Sequence, residues 1–313
     1  MNVSPDDLPE GPTPSPKPTD ALVEGRASSP VQAECSAAEA GGHSDSSFAL
    51  AASGTPPLEL APAAPIHPTW KDPAWSGWDV LRLVFLTLVA LFVGVFTVLL
   101  IARRWVYPHT GFAEIARVPL VDVAGQSVAY LLILTYMYVL VARERRRPDF
   151  LAAIHWNWPS RVALYVLAGF VLSLAMQGLA YLLPHPKALP IDNFFRTPAE
   201  AWALSILSVT LAPLMEELFF RAFLYPVLAR RLGLPLAVFV TSLGFALLHG
   251  AQLMFAWGPV LVIFLVGVIL TMVRAKRNSV AASLLIHIAY NGTISVAMFA
   301  ATDGFRHLEK LNQ

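Results

Sequence analysis

Charged side chains are scarce in this sequence. They make up 14% of the 313 residues, whereas soluble domains usually carry about 25%. Hydrophobic residues account for 56% of the chain, and its mean hydropathy is +0.58. These values exclude an ordinary soluble enzyme and a mainly disordered protein. Long apolar runs of this kind belong in a bilayer, so we expect an integral membrane protein.

Cysteine is nearly absent, since Cys35 is the single one. An intrachain disulfide is therefore excluded, as is a cysteine metal site or nucleophile in the apolar part of the chain. The N-terminus also lacks a basic stretch followed by an apolar run, so no secretory signal peptide is expected. We expect insertion into the membrane to depend on internal spans.

Residues 1–69 differ from the rest of the chain in composition and charge. They contain 12 of the 25 prolines, nine acidic residues and two basic ones. Such a segment cannot bury enough apolar surface to offset its ordering entropy, so we predict a disordered acidic tail. The remaining residues carry 20 basic and 12 acidic side chains, which suits anionic lipid headgroups. These basic residues flank apolar spans and form no separate patch, so no nucleic-acid partner is expected.

The apolar runs predict an all-α, polytopic transmembrane helix bundle of about seven spans in residues 70–302, followed by a short C-terminal tail, 303–313. The predicted spans are roughly 80–102, 119–142, 161–184, 200–229, 235–256, 258–274 and 279–301. The tryptophans before the first span are expected at the membrane–water interface. They are Trp70, Trp75 and Trp78.

The basic loops predict the orientation. The densest cluster, Arg143–Arg147, lies between the second and third predicted spans. The loops predicted on the same side contain Arg230, Arg231, Arg274, Lys276 and Arg277. The positive-inside rule then places these loops and the N-terminus in the cytoplasm. We expect a multi-pass protein of the plasma membrane with its C-terminus outside.

A few strongly polar residues interrupt the later spans. Such residues are costly in a membrane and usually functional. They are Glu216, Glu217, Arg221, His249, His287 and Asn291.

The spacing of these residues predicts two groups. Glu217 and Arg221 are four residues apart, so they share a helix face and can form an ion pair. Glu216 points about 100° away from Glu217 and is expected to have a different role. Counting from the turn near Gly233 brings Glu216 and His249 to the same depth of an antiparallel hairpin. We therefore predict that Glu216, His249, His287 and Asn291 line one cavity.

Three chemical interpretations of this group stay open. A carboxylate beside a histidine can deprotonate water for attack on a carbonyl, and an imidazole and an amide can stabilise the oxyanion. The same residues can instead hold helices together through hydrogen bonds. As a third alternative, Glu216, His249 and His287 can ligate Zn²⁺ with an open position for water. A His-Glu-x-x-His run, the strong signature of zinc proteases, does not occur.

Three short motifs resemble those of a known family. They are Glu216-Glu217-Leu-Phe-Phe-Arg221, Phe245-Ala-Leu-Leu-His249 and His287-Ile-Ala-Tyr-Asn291. In this order they are similar to the Glu-Glu-x-x-x-Arg, Phe-x-x-x-His and His-x-x-x-Asn motifs of the CPBP family. This family comprises the CAAX-processing and bacteriocin-processing intramembrane endopeptidases, also called the Abi family. The resemblance covers about residues 195–300 and departs from the family pattern at Ala222, where glycine often follows the arginine.

The resemblance implies an intramembrane endopeptidase that acts on a membrane-embedded or lipid-anchored protein. It assigns water activation to Glu216 with His249, the oxyanion site to His287 and Asn291, and support of the site to Glu217 and Arg221, with Phe245 beside His249. It favours a mechanism without a metal or other cofactor, with Zn²⁺ as the alternative. A non-catalytic membrane regulator or immunity protein on the same scaffold is the alternative function.

Overall fold

A computed structural model describes residues 73–184, 186, 190 and 195–312, which form only helices and the loops between them. The all-α fold is thus confirmed, and the protein is a multi-pass integral membrane protein. Within those residues, six helical stretches are long and apolar enough to cross a membrane: Gly77–Val106, Pro119–Glu144, Val162–Leu182, Pro198–Leu232, Trp257–Arg277 and Val280–Ala301. The predicted disordered tail, 1–69, lies outside the described residues.

The helices are numbered in chain order. They are α1 (Gly77–Ile101), α2 (Phe112–Ile115), α3 (Pro119–Val139), α4 (Phe150–Ala153), α5 (Val162–Leu182), α6 (Pro198–Val209), α7 (Leu211–Glu216), α8 (Tyr225–Leu232), α9 (Leu234–Leu248), α10 (Trp257–Arg277) and α11 (Val280–Ala301). π-Helical turns extend α1 over Ala102–Val106 and α3 over Leu140–Glu144, and a longer π-helical stretch joins α7 to α8.

The fifth predicted span is shorter than expected. The sequence predicted a helix over 235–256, whereas α9 has 15 residues and ends at Leu248. Met254 and Phe255 have positive φ angles of 53° and 52°, which a right-handed helix cannot include. The apolar run therefore continues beyond the helix as a turn, and His249 lies where α9 ends.

The first and second spans pack closely through two glycines. A Cβ atom on Gly94 of α1 would lie 2.5 Å from the carbonyl oxygen of Gly125 in α3. A Cβ atom on Gly125 would lie 2.7 Å from the Cα of Val95. The two backbones approach this closely only because both positions lack a side chain, as in other membrane helix pairs.

Trp75 is buried inside the protein and is not exposed to lipid headgroups. Its side chain is buried, its ring stacks on Phe223 at 4.6 Å, and its Nε1–H donates to the Phe223 carbonyl oxygen at 3.0 Å. Trp78 is exposed, in keeping with the expectation, and Trp70 lies outside the described residues. A tryptophan that satisfies its single N–H inside the protein can bury its whole ring.

The fourth span is not one regular helix over 200–229. It breaks at Thr210, whose ψ is −86°, and then winds as a π-helix over Glu217–Leu224, here called the π segment. Pro213 and Pro226 account for the irregularity, because proline has no N–H to donate to an earlier carbonyl and its ring crowds the preceding turn. π-Helical turns are frequent at functional sites, and this one carries Glu217 and Arg221.

Several helices surround the π segment. α9 and α11 both contact it, α11 also packs against α5 and α6, and α10 packs against α9. Arg274, which the sequence placed in a cytoplasmic loop, is fully buried in α10. The predicted end of this span at residue 274 was too early, because the helix continues to Arg277. Arg274 therefore does not count among the loop charges that predict orientation.

Candidate active site

Glu217 and Arg221 form a fully buried ion pair at the centre of the bundle. The Arg221 Nη1 atom lies 3.0 Å from Glu217 Oε1, and both side chains have 0% relative exposure. The guanidinium also donates from Nη2 to the carbonyl oxygen of Gly267 on α10, at 3.3 Å. Buried charges need such partners, because their desolvation penalty is otherwise several kcal/mol. The pair thereby ties the π segment to α10.

His287 of α11 lies between the two glutamates. Its Nδ1 atom is 3.0 Å from Glu217 Oε1, a hydrogen-bond distance, and its Nε2 atom is 3.5 Å from Glu216 Oε2. Since a carboxylate oxygen only accepts, Nδ1 carries a proton in this arrangement. The ring is 4% exposed. Glu217 therefore sets the orientation of His287, much as second partners orient histidines elsewhere.

Glu216 and His249 face each other across a gap. The closest atoms, Glu216 Oε1 and His249 Nε2, are 3.8 Å apart, and the side chains are 16% and 22% exposed. This separation is too long for a direct hydrogen bond and is within reach of one bridging water. Both side chains are more exposed than that of His287, which is almost completely covered.

The tautomer of His249 follows from its other hydrogen bond. Its Nδ1 atom is 2.9 Å from the carbonyl oxygen of Phe245, which can only accept. Nδ1 therefore carries the proton, and in the neutral ring Nε2 presents a lone pair toward Glu216. The carboxylate and the imidazole are then two acceptors directed at the same gap, an arrangement that suits a water donating to both.

Phe245 forms an apolar wall of the site. Its ring centroid lies 5.0 Å from that of His249 and 5.8 Å from that of His287. The Arg221 guanidinium carbon lies 4.4 Å from the same centroid, within the range of a cation–π contact. One aromatic ring thus separates the buried ion pair from the more exposed gap.

Asn291 is on the same face of α11 as His287, one turn further along. Its Nδ2 atom donates to the carbonyl oxygen of Ser208 at 2.7 Å. Ser208 precedes the break at Thr210, so Asn291 joins α11 to the irregular part of the fourth span. One N–H of the amide is engaged in this bond, and the second belongs to the same Nδ2 atom.

Arg274 was missed as a residue that supports the site. Its Nε atom donates to the Arg221 carbonyl oxygen at 3.2 Å, and its Nη1 atom donates to Asn278 Oδ1 at 2.8 Å. In the i→i−5 pattern of a π-helix, the Arg221 carbonyl would be served by residue 226, which is a proline without an N–H. Pro226 was therefore the sequence feature that could have revealed this contact, because a proline there leaves the Arg221 carbonyl in need of another donor.

A metal ion finds no preformed site in the described parts of the chain. No group of three His, Cys, Asp or Glu side chains there is arranged to hold one. In the alternative zinc set, the His287 Nδ1 is directed at Glu217, and Glu216 spans the distance between the two histidine Nε2 atoms.

Comparison with known proteins identifies the region around the site. Residues 198–293 match the family described as type II CAAX prenyl endopeptidase, Rce1-like. This part of the chain is therefore a domain of the CAAX-protease (CPBP) family, as the three motifs predicted. No curated protein and no solved structure matches the chain.

Proposed function

We propose that the protein is an intramembrane endopeptidase that hydrolyses a peptide bond of a membrane-associated protein. The observation that carries this proposal is the gap between Glu216 and His249, where two acceptors 3.8 Å apart belong to a domain of a protease family. Structural residues in a membrane core are expected to pair directly, as Glu217 and Arg221 do. The partially exposed gap is what a hydrolytic water needs.

Water activation falls to Glu216. A water bound in the gap donates one hydrogen to Glu216 and the other to the Nε2 lone pair of His249, which directs its oxygen toward the substrate carbonyl. Glu216 takes the first proton as the new C–O bond forms. General-base catalysis of this kind contributes about 10²–10⁴-fold in rate.

The oxyanion is stabilised from the α11 side. With Nδ1–H directed at Glu217, a second proton on Nε2 of His287 makes that atom a donor toward the reaction centre. The N–H of Asn291 that is not bonded to Ser208 is the second donor. Preorganised donors of this type stabilise the charge that develops in the transition state.

Collapse of the tetrahedral intermediate completes the reaction. The C–N bond breaks as the carbonyl re-forms, and the proton held by Glu216 passes to the leaving amine. The products are a new carboxylate and a new amine, and Glu216 returns to its ionised form. Glu217 and Arg221 exchange no proton in this sequence and hold His287 and the π segment in place.

The membrane position of the site restricts the substrates. The family suggests prenylated CAAX proteins as one class, and a lipid-anchored or membrane-embedded segment satisfies the same geometric requirement.

We further propose that the loops around Arg143–Arg147 and Arg230–Arg231 are cytoplasmic, which makes the N-terminus cytoplasmic. The plasma membrane is the proposed location.

The test compares the products made by the full-length protein and by Glu216→Gln. The substitution preserves size and hydrogen bonding but removes the base, so proteolysis should stop while the melting temperature in detergent stays unchanged. Mapping of new protein termini in membrane fractions would identify substrates. A prenylated CAAX peptide and the same peptide without its lipid would decide whether the prenyl group is required.

The matched control is Glu114→Gln, because Glu114 is exposed and remote in sequence from the site. It should leave the product profile unchanged. If Glu216→Gln yields the same termini as the wild type and the same cellular effect, the protein is a non-catalytic regulator and the proposal is wrong.

We expect activity to survive prolonged chelation, because Glu216 and His249 can activate water without a metal. Activity of the purified protein would be measured after dialysis against a strong chelator, with metal content determined in parallel. If chelation removes one equivalent of zinc and the activity with it, and added zinc restores the activity, the expectation is contradicted.

A further inference from the structure

A series of side-chain hydrogen bonds leads from the π segment to the loop before α5. Its first member is Arg274 of α10, which is fully buried and donates from Nε to the Arg221 carbonyl oxygen at 3.2 Å. Its second member is Asn278, whose Oδ1 accepts from Arg274 Nη1 at 2.8 Å. Its third member is His155, whose Nδ1 lies 3.2 Å from Asn278 Nδ2. These three side chains, Arg274, Asn278 and His155, are here called the relay.

The donors and acceptors of the relay have one consistent assignment. A guanidinium only donates, so the Asn278 carboxamide turns its oxygen to Arg274 and its NH2 group to His155. The NH2 group also only donates, so His155 Nδ1 is the acceptor and carries no proton. The imidazole therefore orients the carboxamide, and the carboxamide orients the guanidinium that serves the Arg221 carbonyl.

The turn between α10 and α11 holds Asn278 in place. The φ of 48° and ψ of 42° at Asn278 are left-handed, a conformation that asparagine adopts more readily than most residues. The Asn278 carbonyl oxygen accepts from Asn157 Nδ2 at 2.9 Å. The N–H of Val280 donates to the His155 carbonyl oxygen at 3.1 Å. The loop before α5 thereby binds both the relay and the first residue of α11, the helix that carries His287.

The relay acts on the part of the π segment that orients the proposed oxyanion donor. Arg221 pairs with Glu217, and the same Glu217 oxygen lies 3.0 Å from His287 Nδ1. A displacement of the Arg221 main chain would therefore move the Glu217 carboxylate and, with it, the His287 ring. Because residue 226 is a proline, the Arg221 carbonyl depends on a side-chain donor to stay in place.

We propose that Asn278 is a positioning residue of the proposed active site, which holds Arg274 on the Arg221 carbonyl and thereby keeps the π segment in its active geometry. His155 holds the Asn278 carboxamide in turn. This inference rests on the proposed function, because the geometry that is kept is that of the proposed oxyanion donor. Asn278 follows the last residue of α10, so its role is to orient the site and not to bind the substrate.

The kinetic test is Asn278→Gly, which removes the carboxamide and leaves the left-handed turn unstrained, because glycine adopts positive φ freely. We expect kcat to fall by about 10- to 100-fold with KM unchanged, since a displacement of about 1 Å far from the chemistry can cost about 10²-fold. Asn278→Asp keeps an acceptor for Arg274 and should recover most of the loss. Lys276→Ala is the control, because it removes an exposed side chain of the same helix end and should leave both constants unchanged.

Trp75 can report the position of the π segment without any need for catalysis. Its indole donates to the Phe223 carbonyl oxygen and stacks on the Phe223 ring, two residues after Arg221. The measurement is the fluorine NMR signal of Trp75 in detergent, in protein labelled with fluorotryptophan and assigned with Trp75→Phe. This signal should shift in Asn278→Gly and return toward the wild-type position in Asn278→Asp.

The outcomes separate this inference from the proposed function. An unchanged Trp75 signal in Asn278→Gly, an unchanged kcat or a raised KM alone would overturn the positioning role. An Asn278→Asp variant as impaired as Asn278→Gly would also overturn it, because the acceptor for Arg274 would then not matter. A shifted Trp75 signal in a protein whose wild type cleaves nothing would refute the proposed function and leave the relay standing.

Discussion

The first and fourth membrane spans differ in how much of each is buried and in what holds each to its neighbours. In the apolar stretch of Gly77–Val106 only 11% of the residues are buried, against 39% in the apolar stretch of Pro198–Leu232. The first span presents large apolar side chains such as Phe85 and Phe92 outward and approaches α3 through Gly94. The fourth span is surrounded by other helices and buries the ion pair of Glu217 and Arg221, whereas the buried Asp79 of α1 lies in its first turn and pairs with Arg145.

This difference separates two ways of holding a membrane protein together. Beyond the first turn of α1, lipid tails are as apolar as its side chains, so close packing at small residues provides the attraction there. Around the π segment, ion pairs and hydrogen bonds to main-chain carbonyls provide it. A change in the first region should therefore affect stability alone, and a change in the second should affect stability, activity or both.

The largest combined effect is expected at Arg221. Arg221→Ala removes the cation that neutralises the buried Glu217 and should destabilise the protein by about 3–5 kcal/mol, with loss of activity. Melting in detergent and turnover of a cleaved substrate are the measurements. Adding Glu217→Gln should restore part of the stability, because the stranded charge is removed.

The matched control for this change is Arg277→Ala. Arg277 is exposed at the end of α10, so its loss should change stability by less than about 0.5 kcal/mol. If Arg221→Ala is fully stable yet inactive, Arg221 takes part in the chemistry or binds substrate. The ion pair would then not be a structural element.

The next effect is expected at Asn291. Asn291→Ala removes an oxyanion donor and should lower kcat by about 10²–10³-fold. It also removes the donor to the Ser208 carbonyl, which should cost about 1 kcal/mol of stability. Steady-state kinetics and melting would be measured on the same preparation. A stability loss with less than a tenfold change in kcat would make Asn291 a tether between helices only.

A purely structural effect is expected at Gly94. Gly94→Ala places a methyl group 2.5 Å from the Gly125 carbonyl oxygen, so α1 and α3 must separate. Overpacking of this kind costs about 1–3 kcal/mol, while the protein that remains folded should keep its specific activity. Gly178→Ala in α5 is the control, because nothing lies within 4 Å of its added Cβ atom. Loss of specific activity in Gly94→Ala would show that the first region affects activity as well as stability.

The smallest effect is expected at His155, in the loop before α5. Burial and the nearby Arg274 cation lower the pKa of His155 below its ordinary value, and its Nδ1 atom lies 3.2 Å from Asn278 Nδ2. The folded protein therefore binds this proton less readily than the unfolded chain does. Stability should decrease as the pH falls through the ordinary histidine pKa of about 6.5.

His155→Gln should flatten this pH dependence of the melting temperature. His307→Gln is a suitable control, because His307 is exposed and pairs with Glu309 near the C-terminus. If the melting temperature of His155→Gln depends on pH as strongly as that of the wild type, another group dominates the destabilisation at acidic pH.

Much of the site was accessible from residue spacing. The i,i+4 relation placed Glu217 beside Arg221, and counting from Gly233 brought Glu216 level with His249, because helical rise and a tight turn leave little freedom. The burial of Trp75 and Arg274 was not predicted, since a hydropathy profile treats a tryptophan or arginine near a span end as exposed. Only the presence of partner carbonyls, on Phe223 and Arg221, makes their burial stable.

The sequence by itself determined that this is a helical membrane protein with a domain of the CAAX-protease family, because apolar run length and motif order are local properties. The tertiary structure decided what the motif residues touch. It directs His287 at both glutamates, leaves Glu216 and His249 3.8 Å apart, and ties Asn291 to Ser208. These contacts depend on the break at Thr210 and the π segment, where proline removes main-chain donors and residues on other helices replace them.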